Sequence, residues 1–394
     1  MIYLDNAATS FPKAPGVADA VQECLARSGA CPGRGGYGMA RHAGAIVEET
    51  RRLLASLFNV GAAERIVFTL NATDALNRAI KGVLDDGDHV ITSVIEHNSV
   101  SRPLYALERD GRICVTRLAP CAEGRLDPAE IHRALTPRTK LVAMLHASNV
   151  TGALQPVEAV GRILRDAGAW LLVDASQTAG VIPLNMEGMG IDLLAFPGHK
   201  GLLGPPGTGG LAVGPRVRIR PWREGGTGIF SEQPEQPEAW PWRLEAGSPN
   251  TAGIAGLRES VRYLLGRGVA SIGEQEMRLT QRLIDGIYDD DWFVLHGPRT
   301  SQERTAVVSI SVRGVSPQLV GERLDRDFEI AVRTGLHCAP GAHRELGTFP
   351  EGTIRISPGC FTSEDDIDGC LRALREVAAD DVGQESQTHA SIRV

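Results

Sequence analysis

Asp174 and Lys200 both stand where apolar runs end, and both positions ask for chemistry. Leu171-Leu172-Val173 closes in Asp174, a carboxylate whose desolvation is costly unless a cation or strong donor meets it; alone, a strand-end Asp commonly does no more than cap a turn. Farther on, Phe196-Pro197-Gly198-His199-Lys200-Gly201 sets a Lys beside a His, ahead of the Gly/Pro-rich stretch from Leu203 to Gly210. The 26-residue separation of Asp174 and Lys200 suits two neighbouring strands joined by a short connection. Upstream, Thr69-Leu70-Asn71-Ala72-Thr73-Asp74 falls where a strand gives way to a helix. An Asn cap followed by a hydroxyl and free backbone N–H groups is either a cup for an anion or an ordinary capped helix. Arg355, in Gly352-Thr353-Ile354-Arg355-Ile356-Ser357, brings a planar guanidinium, suited to bidentate capture of a carboxylate, into a β-like run. Cys338 lies among Gly335, His337 and Pro340, which describe a loop and not an apolar strand, and a loop thiolate is a nucleophile at neutral pH. A Lys able to form a Schiff base, an Asp that can meet a pyridinium nitrogen and a helix N-terminus for a phosphate match one chemistry, with pyridoxal 5'-phosphate as its natural ligand.

These groups need a frame. From about Arg65 onward, short β-rich runs alternate with amphipathic helical stretches: Ile66 to Thr69 before a helix from Ala72 to Gly82, His89 to Thr92 before a helix from near Ser99, Leu141 to Leu145 before Pro156 to Ala167. Continuous apolar strands of this kind are buried on both faces, which predicts an α/β fold: a mostly parallel sheet between helices, with ligand contacts at the carboxyl ends of its strands. The large domain spans 21–265. Beyond the helical stretch from Ile254 to Leu265 the pattern becomes mixed, predicting a smaller α+β domain over 266–377, with residues 1–20 as a segment packing against it. Residues 378–394, rich in Asp, Gln, Ser and His, read as a frayed tail.

Composition excludes several classes. With 394 residues, 42% hydrophobic and 23% charged, the chain is globular in balance, and its 45 glycines suggest tight loops bringing backbone close to a ligand. The net charge of −7, with both signs interspersed, argues against a nucleic-acid surface or a polybasic membrane patch. The N-terminus lacks the basic flank and apolar run of a secretory signal, and no stretch approaches 18 apolar residues, so a cytoplasmic protein without a membrane span is expected. The seven cysteines (24, 31, 114, 121, 338, 360, 370) form an odd set without C-x-x-C, against both a disulfide framework and a zinc knuckle; no metal is expected. Most read as buried small hydrophobes, Cys360 and Cys370 among them.

On these motifs the chain resembles the class V aminotransferase family of fold-type-I pyridoxal phosphate enzymes, and more closely its cysteine desulfurases, from Tyr3-Leu4-Asp5-Asn6-Ala7-Ala8 through Arg355-Ile356-Ser357. The resemblance implies a seven-stranded large-domain sheet, Lys200 as the cofactor-bearing lysine, Asp174 on the pyridine nitrogen and Gln177 on the phenolic oxygen. It implies that His97, of Glu96-His97-Asn98, stacks on the ring and serves catalysis. Asn149, of Ser148-Asn149-Val150-Thr151-Gly152, would lie beside the substrate, and Arg355 would bind its carboxylate. Asn71, Ala72, Thr73 and His199 would hold the phosphate, with Ser248 of Ala246-Gly247-Ser248-Pro249-Asn250 reaching across from a second subunit, hence a homodimer. Arg333-Thr334-Gly335-Leu336-His337-Cys338-Ala339-Pro340 resembles the active-site loop of group II desulfurases, making Cys338 the sulfur-accepting nucleophile. Pro197 replaces a Ser common in relatives, Leu336 the first His of a His-His-Cys sequence, and Asn71 a frequent Gly. The implied reaction converts L-cysteine to L-alanine, leaving a persulfide for a sulfur-acceptor protein. Rival readings are selenocysteine lyase, cysteine sulfinate desulfinase, a class V aminotransferase or epimerase, and a non-catalytic scaffold subunit.

Overall fold

The computed structural model describes residues 1–33, 35–288 and 290–391. After the two-residue β1 (Ile2–Tyr3), strands β2 (Ile66–Thr69), β3 (His89–Ser93), β4 (Cys114–Leu118), β5 (Thr139–Leu145), β6 (Trp170–Asp174), β7 (Leu193–Pro197) and β8 (Gly209–Val213) alternate with helices. The latter seven make one sheet in the order β2-β8-β7-β6-β5-β3-β4. Every pairing is parallel except the two made by β8. This is the helix-flanked, mostly parallel sheet expected from the α/β rhythm, with the seven strands that the family resemblance implies.

Alternate side chains along each strand enter opposite cores. Val67, Val90, Leu141, Ala143, Leu172, Leu193 and Leu211 pack with Ala75, Leu76, Ala79, Ile80 and Val83 of helix Ala72–Val83 and with Val100 and Leu104 of helix Asn98–Arg109. Phe68, Ile91, Val142, Met144, Leu171, Val173, Leu194 and Phe196 pack on the other face against helices Gly38–Phe58, Val157–Ala167 and Thr251–Arg267. Covered on both faces, the sheet leaves the carboxyl ends of its parallel strands as the place to build a ligand site.

Helix Val269–Tyr288 leads into a second, antiparallel sheet made of β9 (Phe293–His296), β10 (Val308–Val312), β12 (Arg333–Gly335) and β13 (Thr353–Ile356), in the order β12-β13-β10-β9. Its core joins Val308, Ile310, Ile354 and Ile356 to Leu283, Ile287, Val320, Leu324, Ile367 and Leu374. The short β11 (Ile330–Ala331) pairs in parallel with β1 as a separate two-stranded sheet, and a bridge from Asp5 to Ser357, just past β13, ties the N-terminal segment to the antiparallel one. Helix Val17–Arg27 crosses residue 20 and packs instead on helix Thr251–Arg267.

Two expectations need correction. Residues 378–391 are not a frayed coil: the last helix runs Glu364–Ser391, with Ala378 fully buried, because Glu, Gln and Ala sustain a helix even where apolar residues are few. Residues 392–394 lie outside the described residues. Nor are most cysteines buried: only Cys24, Cys360 and Cys370 are, while Cys31 is half-buried and Cys114, Cys121 and Cys338 are exposed, since these four fall in loops or on the partly exposed strand β4.

One glycine holds the turn after β6 against the loop after β7. Gly180 has φ +88°, and a Cβ there would lie 2.3 Å from the Gly201 carbonyl oxygen. Gly87 has φ +89° with open space around it. Gly87→Ala should therefore cost only the left-handed penalty, about 1–2 kcal/mol, whereas Gly180→Ala adds a backbone clash and should cost distinctly more in urea unfolding. Equal losses would show that the two segments part freely.

Candidate active site

The chain turns into one cleft of about 290 Å³ at the carboxyl ends of β2, β3, β5, β6 and β7. Asn71 caps helix Ala72–Val83, its Oδ1 accepting from Asp74 N at 2.9 Å, while the Asp74 carboxylate accepts from Leu70 N and pairs with Arg78. With the cap satisfied this way, the first N–H groups of the helix, at Ala72 and Thr73, have no intrahelical acceptor and face an anion position. Thr73 Oγ1 shares a hydrogen bond of 2.7 Å with Ser99 Oγ.

His97 caps the next helix. Ser99 N donates to its Nδ1 at 3.0 Å, so the proton of the neutral ring sits on Nε2. Burial holds this imidazole below its usual pKa against the pull of Asp174, and the charges of Lys200, Arg333 and Arg355 add to the effect. Asp174, 5% exposed at the end of β6, spends Oδ1 on Ser176 N and Ser176 Oγ at 2.9 and 2.5 Å. Lys200 follows β7, and burial, reinforced by Arg355, lowers its amine to about 8 against the attraction of Asp174. The loop carrying it is clamped by its neighbour: the His199 carbonyl accepts from Ser10 N, Thr9 Oγ1 and Lys13 Nζ at 2.9 to 3.0 Å. The His199 ring lines the cleft, uncharged, burial having lowered it to about 4.

The opposite wall comes from the antiparallel sheet. Arg355 on β13 is 1% exposed; its Nη2 donates to Asp5 Oδ1 at 2.8 Å and its Nη1 to the Asn149 carbonyl at 3.2 Å, while its Nε has no partner. Arg333 on β12 sits directly across from it in register. Two guanidiniums placed opposite each other repel, and one carboxylate, Asp5, does not neutralise both, so this wall favours an anionic ligand. Asn149 donates Nδ2 to the His337 carbonyl at 2.6 Å and keeps a buried, unpartnered Oδ1. Gln177 Nε2 donates to the Ala7 carbonyl at 3.2 Å.

Of the residues singled out from sequence, Asn71, Ala72, Thr73, His97, Asn149, Asp174, Gln177, His199, Lys200 and Arg355 all line this cleft. Cys338 does not; it is exposed on the adjoining loop, where Arg333 Nη2 approaches its Sγ at 3.7 Å. Ser248 is not brought in by its own chain and lies instead beside Cys31, in a groove shared with Thr69 and Leu70. Pro197 and Asn71 line the cleft without closing it, and Leu336 leaves the loop in place, its carbonyl accepting from Ala339 N at 2.9 Å.

Sequence reasoning passed over several participants. Arg333 and His337 stood inside the quoted loop motif, and Asp5 inside the quoted N-terminal motif. Glu96 stood beside His97: fully buried, it accepts from Ser93 Oγ at 2.5 Å, and burial, with the Asp174 charge adding, raises it to about 8. Ser176 followed Asp174 by two residues, the spacing of an Asx turn. Among the described residues no cluster of three or more His, Cys, Asp or Glu could hold a metal.

Comparison with known proteins agrees with this geometry. The family model for aminotransferase class-V matches residues 2–369. A probable cysteine desulfurase of Methanothermobacter thermautotrophicus is 34% identical, over 96% of this chain and 94% of its own length. A cysteine desulfurase of Pectobacterium atrosepticum is 32% identical, over 96% of this chain and 93% of its own. Among solved structures, the apo form of a cysteine desulfurase from Thermococcus onnurineus superposes with a TM-score of 0.90 at 32% identity, covering 96% of this chain and 95% of that one. With its strand-end Asp and Lys, its capped anion cup and its matched length, the chain belongs to the class-V aminotransferase family.

Proposed function

We propose that this protein is a pyridoxal 5'-phosphate-dependent cysteine desulfurase that converts L-cysteine to L-alanine and receives the sulfur on Cys338 as a persulfide. The observation that carries the reading is the Cys338 thiol beside Arg333 at the edge of a cleft furnished with Lys200, Asp174 and Arg355, since transamination has no use for a thiol there. The donor set fits the cofactor: the N–H groups of Ala72 and Thr73 with the Thr73 hydroxyl for its phosphate, Asp174 for its ring nitrogen, Gln177 for its phenolic oxygen, Lys200 for its aldehyde carbon and the His97 ring against its face. Once bound, pyridoxal phosphate supplies an electron sink for the bonds at the substrate's α-carbon.

The chain's own groups do the rest. Arg355 holds the substrate carboxylate, and its unpartnered Nε is a donor still to be satisfied. Lys200, uncharged in useful proportion near neutral pH, takes the Cα proton on Nζ and later returns one. Cys338 Sγ, which Arg333 Nη2 approaches at 3.7 Å, attacks the substrate sulfur. A carbon–sulfur bond breaks, a sulfur–sulfur bond forms, and the proton lost by Cys338 is made up on the product carbon, so that L-cysteine and the thiol become L-alanine and a persulfide with no outside oxidant. His97 Nε2–H is positioned to pass protons at the cleft wall.

Ser248, remote from the cleft of its own chain, supports a homodimer in which it serves the partner's site. The exposed position of Cys338 supports hand-over of sulfur to a separate acceptor protein docking beside it. All seven cysteines are free, which suits the reducing cytoplasm, and among the described residues no helix is long and apolar enough to cross a membrane.

Four outcomes are expected. Lys200→Ala should lose turnover by more than the roughly 10²- to 10⁴-fold typical of a missing proton-transfer group, with an unchanged circular dichroism spectrum; alanine formation near the wild-type rate would exclude the lysine role. Uptake of pyridoxal phosphate by the apoprotein, followed by absorbance, should quicken with rising pH and level off above about 8, as the Lys200 ammonium gives up its proton. Cys338→Ala should lose cysteine desulfuration by orders of magnitude and selenocysteine cleavage far less, because selenium leaves with less nucleophilic help. Wild-type protein given cysteine should gain the mass of one sulfur atom on the Cys338 peptide. Undiminished cysteine turnover in the variant, or no such adduct, would favour the aminotransferase reading.

A further inference from the structure

The loop bearing Cys338 runs into a short helix, Pro340–Glu345, and that helix sets a buried histidine against it. Ala339 and Ala342 join Ile95, Leu145 and Val150 in one apolar cluster beside the ends of β3 and β5. A Cβ on Gly341 would lie 1.9 Å from the Val94 carbonyl oxygen, so the helix is docked there without a gap. His343, fully buried, holds Nδ1 2.8 Å from Thr348 Oγ1 and accepts on its carbonyl from Thr348 N at 2.9 Å. Its ring meets the ring of His337, with centroids 5.5 Å apart and planes inclined at 49°. His337 is 2% exposed, and its Nε2 lies 3.2 Å from Thr353 Oγ1 on β13.

This contact is imposed by packing. Among the described residues His337 Nδ1 and His343 Nε2 have no hydrogen-bond partner, and a buried polar atom left in that state is costly. Burial keeps both rings uncharged, lowering His337 to about 2 and His343 to about 4, so they meet without repulsion. What the contact holds is the backbone beside it. His337 and Cys338 have φ +48° and +60°, a left-handed conformation that non-glycine residues keep only where the surroundings enforce it. Ala339 N closes this turn on the Leu336 carbonyl at 2.9 Å, and Asn98 N bonds the Cys338 carbonyl at 2.8 Å.

We propose that His343 is a positioning residue for Cys338: by backing the His337 ring it keeps the strained turn closed and the thiol at the mouth of the cleft. Without that backing the His337 ring can swing out, the two left-handed residues relax to ordinary backbone, and Sγ moves away from the substrate sulfur. The role falls to the His343 ring and not to its bond with Thr348, because the ring is what touches His337.

The effect on sulfur transfer rests on the function proposed above; the ordering of the turn does not, and the experiment separates them. His343→Asn keeps an amide donor for Thr348 and loses the ring, whereas His343→Phe keeps a ring and loses the donor. Amide hydrogen exchange is followed by mass spectrometry on the full chain without cofactor. In His343→Asn the amides of Ala339 and Asn98 should exchange at least about tenfold faster than in wild type, with β5 and β6 unchanged; in His343→Phe both amides should stay near wild type. Unchanged exchange in His343→Asn, or acceleration throughout the chain, overturns the proposal whatever the enzyme does. With pyridoxal phosphate bound and cysteine supplied, His343→Asn should lose about 10²-fold in kcat, the scale of a misplaced reacting group. Exchange of the Cα hydrogen of added L-alanine, which calls on Lys200 and not on Cys338, should stay within about twofold of wild type. Undiminished kcat, or an equal loss of alanine exchange, overturns the link to the thiol, and a Phe variant as slow as the Asn variant overturns the role of the ring. Failure of wild-type protein to make alanine from cysteine overturns the desulfurase reading and leaves amide exchange to decide whether His343 orders the turn. Should His343→Asn fail to fold, His343→Leu, which also lacks a ring, replaces it in both measurements with the same expectation.

Discussion

A lysine amine acts as a base only when it is uncharged, and Lys200 is brought near that condition by the loss of its water. Burial is the largest influence on it, Arg355 pushes in the same direction, Asp174 pulls the other way, and Arg333 adds a smaller push. This balance exists only because the loop after β7 is held inside the molecule. His199 makes that possible with its backbone and not its ring, since its carbonyl gathers donors from Thr9, Ser10 and Lys13. Lys13 is itself lowered to about 8 by burial, so the clamp and the group it positions are desolvated together.

The frame was legible in the sequence because it depends on local rules. Apolar strands alternating with amphipathic helices leave few arrangements besides a parallel sheet covered on both faces, and the residues just after such strands must then meet at one edge. Asp174, Lys200 and the Asn71 cap follow from that argument, and ten predicted lining residues share one cleft. Contacts made across long separations were not legible. Nothing near Arg355 announces that Asp5, 350 residues away, is its counter-ion, nor that Arg333 lies across from it in register. The misjudged cysteines and terminal helix have a related cause: composition reports average burial, whereas exposure at Cys338 and helix continuation past 377 are decided by neighbours.

The loop bearing Cys338 illustrates strain at a working position. His337 and Cys338 both have left-handed backbones, φ +48° and +60°, a conformation costing non-glycine residues on the order of 1–3 kcal/mol each unless the surroundings impose it. Here they do: Asn149 Nδ2 holds the His337 carbonyl at 2.6 Å and Asn98 N holds the Cys338 carbonyl at 2.8 Å. The backbone is thereby pinned to the loops after β3 and β5 while the thiol remains outside. In the proposed reaction this thiol has two tasks, meeting a substrate inside and a recipient outside. A fixed main chain with a free side chain serves both with a rotation about χ1 in place of a rearrangement of the loop.

The N-terminal segment joins the two halves of this chemistry. Ile2 and Tyr3 pair with β11 in a separate two-stranded sheet, Asn6 N bonds the Ser357 carbonyl just past β13, and Asp5 grips Arg355, so the first six residues are tied to the sheet that carries Arg355. Within the next seven residues the same strap receives Gln177 Nε2 on the Ala7 carbonyl and donates to the His199 carbonyl beside Lys200. Thirteen residues therefore touch Arg355, Gln177 and the loop carrying Lys200 in succession. Relative motion of the two sheets would have to stretch this strap, and the bonds at its ends are charge-assisted at Asp5 and at Lys13, roughly twice as strong as neutral ones. A short covalent tie with strong ends keeps Arg355 and Lys200 in fixed relation more economically than a wide interface between the sheets, and it places its own backbone carbonyls along the cleft at no cost in side chains.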